Sequence, residues 1–258
     1  MTSSTADEWE DVPTPAHNIA KYWLIGGALV VAAAGVAGYK MMQHAPDSYR
    51  VETKPGEIRT ITLKDGSKIA INGGTGMTLS HDDPHHATLD HGQAQFDIVH
   101  DNDHPFHLAI GAPESAGASL VDVGTGFDVI HAEGETIVSV SQGAVAYNPD
   151  ADNVRLKAGQ RLTVSETRHE ADVTKIDAAT VGGWRTGSLV YEGATLGEAA
   201  AELTRTTGVQ ISLNPETAAT PLNGRLHIGT EAAKTVHDLA TLSGTHARQD
   251  AKGWSLHK

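Results

Sequence analysis

The spacing of apolar and polar positions divides the chain into stretches of different kind. Over residues 51–176 apolar side chains recur at every second position in short runs, the period of strands buried on one face. RTITL and KIAI flank Lys64-Asp65-Gly66. A two-residue Asp-Gly loop would put the isoleucines of the two strands on opposite faces. A three-residue loop with Gly66 left-handed pairs Ile61 with Ile69 on one face, so the pattern selects a bulged hairpin. AQFDI turns Ala94, Phe96 and Ile98 to one side with Gln95 and Asp97 opposite, and FHLAI does the same with Phe106, Leu108 and Ile110. SLVDVGTGFDVI, TIVSVSQGAVAYN, VRLKAGQRLTVS and ADVTKI follow, separated by Gly, Asn and Asp. Many short strands with no helix among them predict an all-β domain over residues 51–176: a sandwich, a jelly roll or a β-solenoid-like stack.

From residue 177 the period changes. LVYEG reads as a strand, and TLGEAAAELTRTTG as a helix with Thr195 as N-cap and Glu198 at the capping-box position. Leu196, Ala199, Ala200 and Leu203 form its apolar stripe, and Gly208 stops it. VQISL and LNGRLHI are strands. EAAKTVHDLATLSG is a second helix with Val236, Leu239 and Ala240 inward, ending at Gly244, and HARQDAKGWSLH closes as a strand or hairpin. The order β-α-β-β-α-β predicts a small α+β domain over residues 177–258, with two helices on one face of a sheet. Trp184-Arg185, after Gly182-Gly183, reads as a packed hinge at its entrance.

Near the N-terminus the periodicity vanishes. YWLIGGALVVAAAGVAGY, residues 22–39, is an uncharged run between Lys21 and Lys40. As a helix it spans about 27 Å, enough for a bilayer core, and Tyr22, Trp23 and Tyr39 suit its two interfaces. A signal peptide would begin basic, whereas residues 1–21 form an acidic tail. A single transmembrane helix is expected, with residues 40–50 as a linker. One lysine precedes the span, and Lys40, Arg50 and Lys54 follow it, so charge leaves the orientation open.

Composition narrows the chemistry. The formal net charge is −13 with 19 basic residues and no basic stripe, which argues against direct contact with nucleic acid. The absence of cysteine excludes disulfides, thiolate metal sites and a cysteine nucleophile. No serine elbow, phosphate-binding glycine loop or supported carboxylate dyad is present, so no enzyme active site and no cofactor are expected. Seven of the 15 histidines fall in residues 81–107. A metal site there would draw on His85, His86, His91, His104 and His107, but nothing in their spacing makes three or four ligands converge. A solvated face is the expectation, with a histidine-rich metal-binding sensor as the alternative.

GEIRTITLKDGSKIAINGGT resembles the opening of the FecR family of membrane-anchored sigma-factor regulators; Gly56, Glu57, Arg59, Leu63, Asp65, Gly66, Ser67, Asn72 and Thr75 fall on its pattern. LDHGQAQFDIVHDNDHPFHL is similar to a later segment of that family, with Gln93 for the usual Glu and His104 for the usual Arg. VGTGFDV, SQGAV, LKAGQRL and WRTGSLVYEGATLGEAAAEL follow in the family's order. The resemblance implies a single-pass protein of the bacterial inner membrane, N-terminus cytoplasmic and bulk periplasmic. It implies a β domain over residues 51–176 and a C-terminal domain similar to the short N-terminal domain of secretins and TonB-dependent receptors. The implied partners are the signalling domain of an outer-membrane TonB-dependent receptor, often one for iron chelates, an extracytoplasmic-function sigma factor, and an intramembrane protease. Trp9 in the tail and Trp184, Leu196 and Leu203 in the C-terminal domain are the candidate partner-binding residues. The family's cytoplasmic region is a longer helical domain; here residues 1–21 carry Pro13 and Pro15, and a short peptide that folds on contact is the expected form.

The resemblance also points to Gly124-Thr125. Family members cleave themselves between such a pair by an N-to-O acyl shift, in which the Thr hydroxyl attacks the preceding carbonyl. Asp128 or His131 would assist. A β-bulge made by Gly124 and Gly126 is the competing reading of the same residues.

Overall fold

The computed structural model describes residues 47–101, 103–111, 117–122, 124–132 and 134–258. One strand organises the N-terminal domain. β5 (His86–Asp97) runs for 12 residues and bends midway, where Gly92 takes φ +98, a conformation that costs any residue with a Cβ. Its first half pairs with β4 (Gly76–Ser80) and, in parallel, with β6 (His107–Ile110). Its second half pairs with β3 (Lys68–Ile71) and β8 (Gly126–Ala132).

Two sheets grow from these halves. The first continues outward through β1 (Ser48–Glu52) on one side and β7 (Ala118–Asp122), β10 (Ala144–Tyr147) and β11 (Val154–Lys157) on the other. The second continues through β2 (Arg59–Thr62) on one side and β9 (Glu135–Gln142), β12 (Gln160–Ser165) and β13 (Glu170–Lys175) on the other. Alternate apolar positions of both meet in one core, whose centre is Phe96, stacked on Phe127 at 4.8 Å and tilted against Phe106 at 5.8 Å. Of the β architectures expected, the arrangement is a sandwich. The β2–β3 hairpin has the predicted register, Ile61 opposite Ile69, with Gly66 at φ +92 closing the bulged loop. The linker expected over residues 40–50 ends earlier, because Ser48–Glu52 find unpaired backbone on β4 and form β1.

The C-terminal domain begins with two short 3-10 turns, Ala178–Thr180 and Gly183–Thr186. Then come β14 (Ser188–Thr195), α1 (Leu196–Thr207), β15 (Ile211–Leu213), α2 (Pro215–Ala218), β16 (Pro221–His227), α3 (Ala232–Ser243), β17 (His246–Asp250) and β18 (Gly253–His257). Thr195 and Glu198 make the reciprocal capping box, and Gly208 ends α1 in the left-handed region. Two features differ from expectation. The strands form two small sheets, β14-β16 and β15-β18-β17, instead of one, so the helices serve two apolar faces: α1 touches β14, β15 and β16, and α3 touches β16 and β17. The extra turn α2 also interrupts the β-β step, started by Asn214 capping the Thr217 amide with Pro215 next to it.

The outer face of the second β sheet is not solvated as its alternation suggested. Gln95 and Asp128, polar and opposite the core, are buried, and Ala70 packs into the core of the C-terminal domain with Trp184. Among the described residues no helix is long and apolar enough to cross a membrane. The expected span 22–39 and the tail with Trp9 lie outside the described residues.

Candidate functional site

The covered face carries a chain of buried hydrogen bonds that crosses from one domain to the other. Asp128, on β8 and 6% exposed, accepts from Trp184 Nε1 at 2.7 Å and from Gln93 Nε2 at 2.9 Å. Gln93 Oε1 in turn accepts from Asn72 Nδ2 at 2.9 Å, and that nitrogen also reaches Thr206 Oγ1 of α1 at 3.1 Å. Burial pushes the Asp128 carboxyl up, against the pull of the Trp184 and Gln93 donors and of the Arg161 and Arg205 charges. Thr53 and Thr75 hold the near end: Thr53 Oγ1 donates to the Asn72 carbonyl at 2.6 Å, and Thr75 Oγ1 accepts the Gln93 amide at 3.0 Å.

Backbone contacts run parallel to this chain. Gly56 N–H donates to the Arg205 carbonyl at 2.8 Å, satisfying an acceptor in the last turn of α1. Gly73 lies so close that a Cβ on it would sit 2.1 Å from the same carbonyl oxygen. Farther along, Arg185 Nη1 meets Asp97 Oδ2 at 2.8 Å. Gly56, Asn72 and Gln93, all in the motif-like segments of the sequence, therefore hold the second domain on the first.

Beside the seam lies a cleft of about 680 Å³, with Asp128, Tyr191 and Glu202 among the residues at its walls. Burial raises the Glu202 carboxyl, against the attraction of Arg205, and burial with the nearby Glu202 raises Tyr191. Across the cleft Glu135 is raised by burial and by Glu198 of α1. The walls combine carboxylates with Arg161, Arg168 and hydroxyls, a surface suited to a polar partner rather than an apolar ligand.

The histidines do not converge. His86 stacks on His107 at 5.1 Å with the planes 6° apart, a face-to-face arrangement in which the two rings cannot share an in-plane ligand. His86 Nδ1 is instead 2.7 Å from Asp83, His85 Nε2 3.7 Å from Asp65, and His104 Nδ1 3.5 Å from Asp101. His91 packs over Gly76. Burial, then the neighbouring His86, hold the His107 imidazole below the usual histidine range. Among the described residues no three His, Asp or Glu side chains are placed to hold a metal ion.

Other sequence candidates are redistributed. Trp184, Leu196 and Leu203 are core residues of the C-terminal domain, at most 2% exposed, and cannot themselves touch a partner in this conformation. The apolar stripe of α1, with Leu196, Ala199 and Leu203, packs into the domain's own core. Asp128 is engaged in the seam, and His131 Nδ1 faces Thr136 Oγ1 at 2.9 Å and Glu166 at 3.7 Å, so neither is free to assist at Gly124-Thr125. That pair lines a small pocket of about 200 Å³ with Asp97, Val99 and Gln142. Gly124 has φ +89, and among the described residues the buried Thr125 hydroxyl has no hydrogen-bond partner.

A two-sheet β sandwich carries an α+β domain on one outer face, joined by a polar seam, and this defines the architecture of the chain. Residues 49–146, from β1 to β10, match the family described as FecR protein, and the chain carries that family's domain. Two crystal structures of a candidate anti-sigma factor from Parabacteroides distasonis, at 2.50 Å and 1.65 Å resolution, share the fold. Their TM-scores are 0.70 in both cases with 21% and 22% identity, over 82% and 81% of this chain and 99% of that one. No curated protein matches the sequence.

Proposed function

We propose that this protein is a single-pass inner-membrane signal transducer that regulates an extracytoplasmic-function sigma factor, through binding and not through turnover of a substrate. Its periplasmic part would receive the signalling domain of an outer-membrane TonB-dependent receptor, with iron or another nutrient as the cargo sensed. The observation that carries this reading is the seam: the FecR-type motif residues Gly56, Asn72 and Gln93 grip the C-terminal domain, so a load on that domain passes to the β sandwich. The relatives in fold, candidate anti-sigma factors, support the same output. Residues 22–39 would carry the signal across the bilayer, and residues 1–21, anchored by Trp9, would meet the sigma factor.

The test is co-purification of a sigma factor with the full-length protein from native membranes, with and without residues 1–21. Capture that depends on those residues is expected. Capture that survives their removal would move the sigma contact elsewhere, and no sigma factor in either case would leave a receptor-sensing module without this output.

A second activity is favoured by a specific observation. The unpartnered Thr125 hydroxyl beside Gly124, in a pocket large enough for water, is the arrangement an acyl shift at Gly124-Thr125 requires, and self-cleavage there would prime the chain for a protease. Intact-mass measurement should find fragments ending at residue 124 and beginning at residue 125, absent from Thr125→Ala.

A further inference from the structure

Two residues close on the Gly124-Thr125 peptide. One is Gly143: a Cβ there would lie 2.4 Å from the Gly124 carbonyl oxygen and 2.6 Å from Thr125 Cγ2, so only a glycine leaves room. The other is His100. A Cβ on Gly124 would lie 2.3 Å from His100 Nδ1 and 2.6 Å from its Cγ, which puts the ring in van der Waals contact with the Gly124 α-carbon. Gly124 is thus demanded twice, by its φ of +89 and by the ring against it.

The bond has the other elements of an intramolecular acyl transfer. The Gly124 amide is tied to Asp122 Oδ2 at 3.1 Å and the Thr125 carbonyl accepts from Ile98 N at 3.0 Å, so the peptide is anchored at both ends. The Thr125 hydroxyl has no bond to break before it turns. What a hydroxyl nucleophile still lacks is a group to take its proton and return it to the leaving nitrogen. Asp128 and His131 are committed elsewhere. His100 is exposed and is not part of the core of the domain.

We propose that His100 is the proton carrier of self-cleavage at Gly124-Thr125, an assignment that rests on the cleavage reading above. Thr125 Oγ bonds to the Gly124 carbonyl carbon while its proton passes to the His100 imidazole. The carbon–nitrogen bond then breaks, and the imidazolium returns the proton to the Thr125 nitrogen. This leaves an ester between Gly124 and Thr125 and a free α-amine. Water from the pocket adds to the ester, again with His100 taking its proton; the Gly124 carboxylate and the Thr125 hydroxyl result, and the imidazole is regenerated.

The experiment follows fragment appearance by intact-mass spectrometry in the purified full-length protein and in His100→Ala, His100→Gln and Thr125→Ala, each checked for unchanged thermal unfolding. Wild type is expected to cleave, Thr125→Ala not to, and both His100 variants to slow by about 100-fold or more. Added imidazole should restore His100→Ala toward the wild-type rate, an effect that a merely structural histidine would not produce. Cleavage of both His100 variants at the wild-type rate would overturn the assignment and leave the reaction standing. A wild-type chain that stays whole, and yields no fragment with hydroxylamine, would overturn the reaction and the assignment with it.

Discussion

Asp128 concentrates the energetics of the molecule in one side chain. A carboxylate taken out of water is costly, and two neutral donors with the more distant Arg161 and Arg205 charges only partly answer it. Its folded-state proton affinity is raised, so between its ordinary value and the raised one the native state binds the proton that the unfolded state has released. Stability from this site is therefore greatest at low pH and is lost as pH rises through that window. Urea unfolding of wild type against Asp128→Asn across that range should show this slope in the difference. The substitution has its own price in geometry, because an amide nitrogen at Asp128 would face either the Trp184 N–H or the Gln93 amide, donor against donor. Trp184→Phe should destabilise by about 1–3 kcal/mol, the usual cost of depriving a buried polar group of one partner, read from the urea midpoint at constant slope.

At the scale of elements, the sequence was legible wherever one face of a strand or helix decided its place. The register of Ile61 on Ile69, the Thr195 capping box and the stop at Gly208 all follow from local rules. Local rules say nothing about what covers the second face of a strand. Gln95, read as lying opposite the core, is buried against the second domain, and Gln93 and Asp128 are interdomain contacts too, their only sequence trace being their place in motif-like segments. Trp184 is packed, as its setting after the Gly pair suggested, whereas its aspartate partner, 56 residues away, could not be found from spacing. In the histidine run, adjacency in sequence leaves His85, His86 and His104 on three separate aspartates. Two glycines test the element contacts. Gly73→Ala must push α1 off the β3–β4 loop and should cost about 2 kcal/mol or more, while Gly229→Ala, with nothing within 4 Å of the added carbon, should stay within about 0.5 kcal/mol of wild type. Thr195→Ala should cost about 1 kcal/mol through the lost cap. Thermal unfolding of the three variants side by side checks the order.

For the whole molecule, Asp47–Lys258 cluster as one compact unit, and the seam predicts one cooperative unfolding transition for both domains. Calorimetry should show a single peak with matching calorimetric and van't Hoff enthalpies. The double variant Trp184→Phe with Gly73→Ala should divide it into two. The hydrogen bonds of the seam oppose bending at residue 177, so the two domains are expected to move as one body.

The seam also constrains how these chains can be recombined over evolutionary time. Asn72, Gln93, Asp128 and Trp184 form a lock whose donors and acceptors fit in one order only. A C-terminal domain borrowed from a cousin would seat properly only if it brought a compatible Trp184 and a hydroxyl in the place of Thr206. Exchange of this domain between such chains would therefore require the matching half of the lock to travel with it, or to be rebuilt one substitution at a time on both sides.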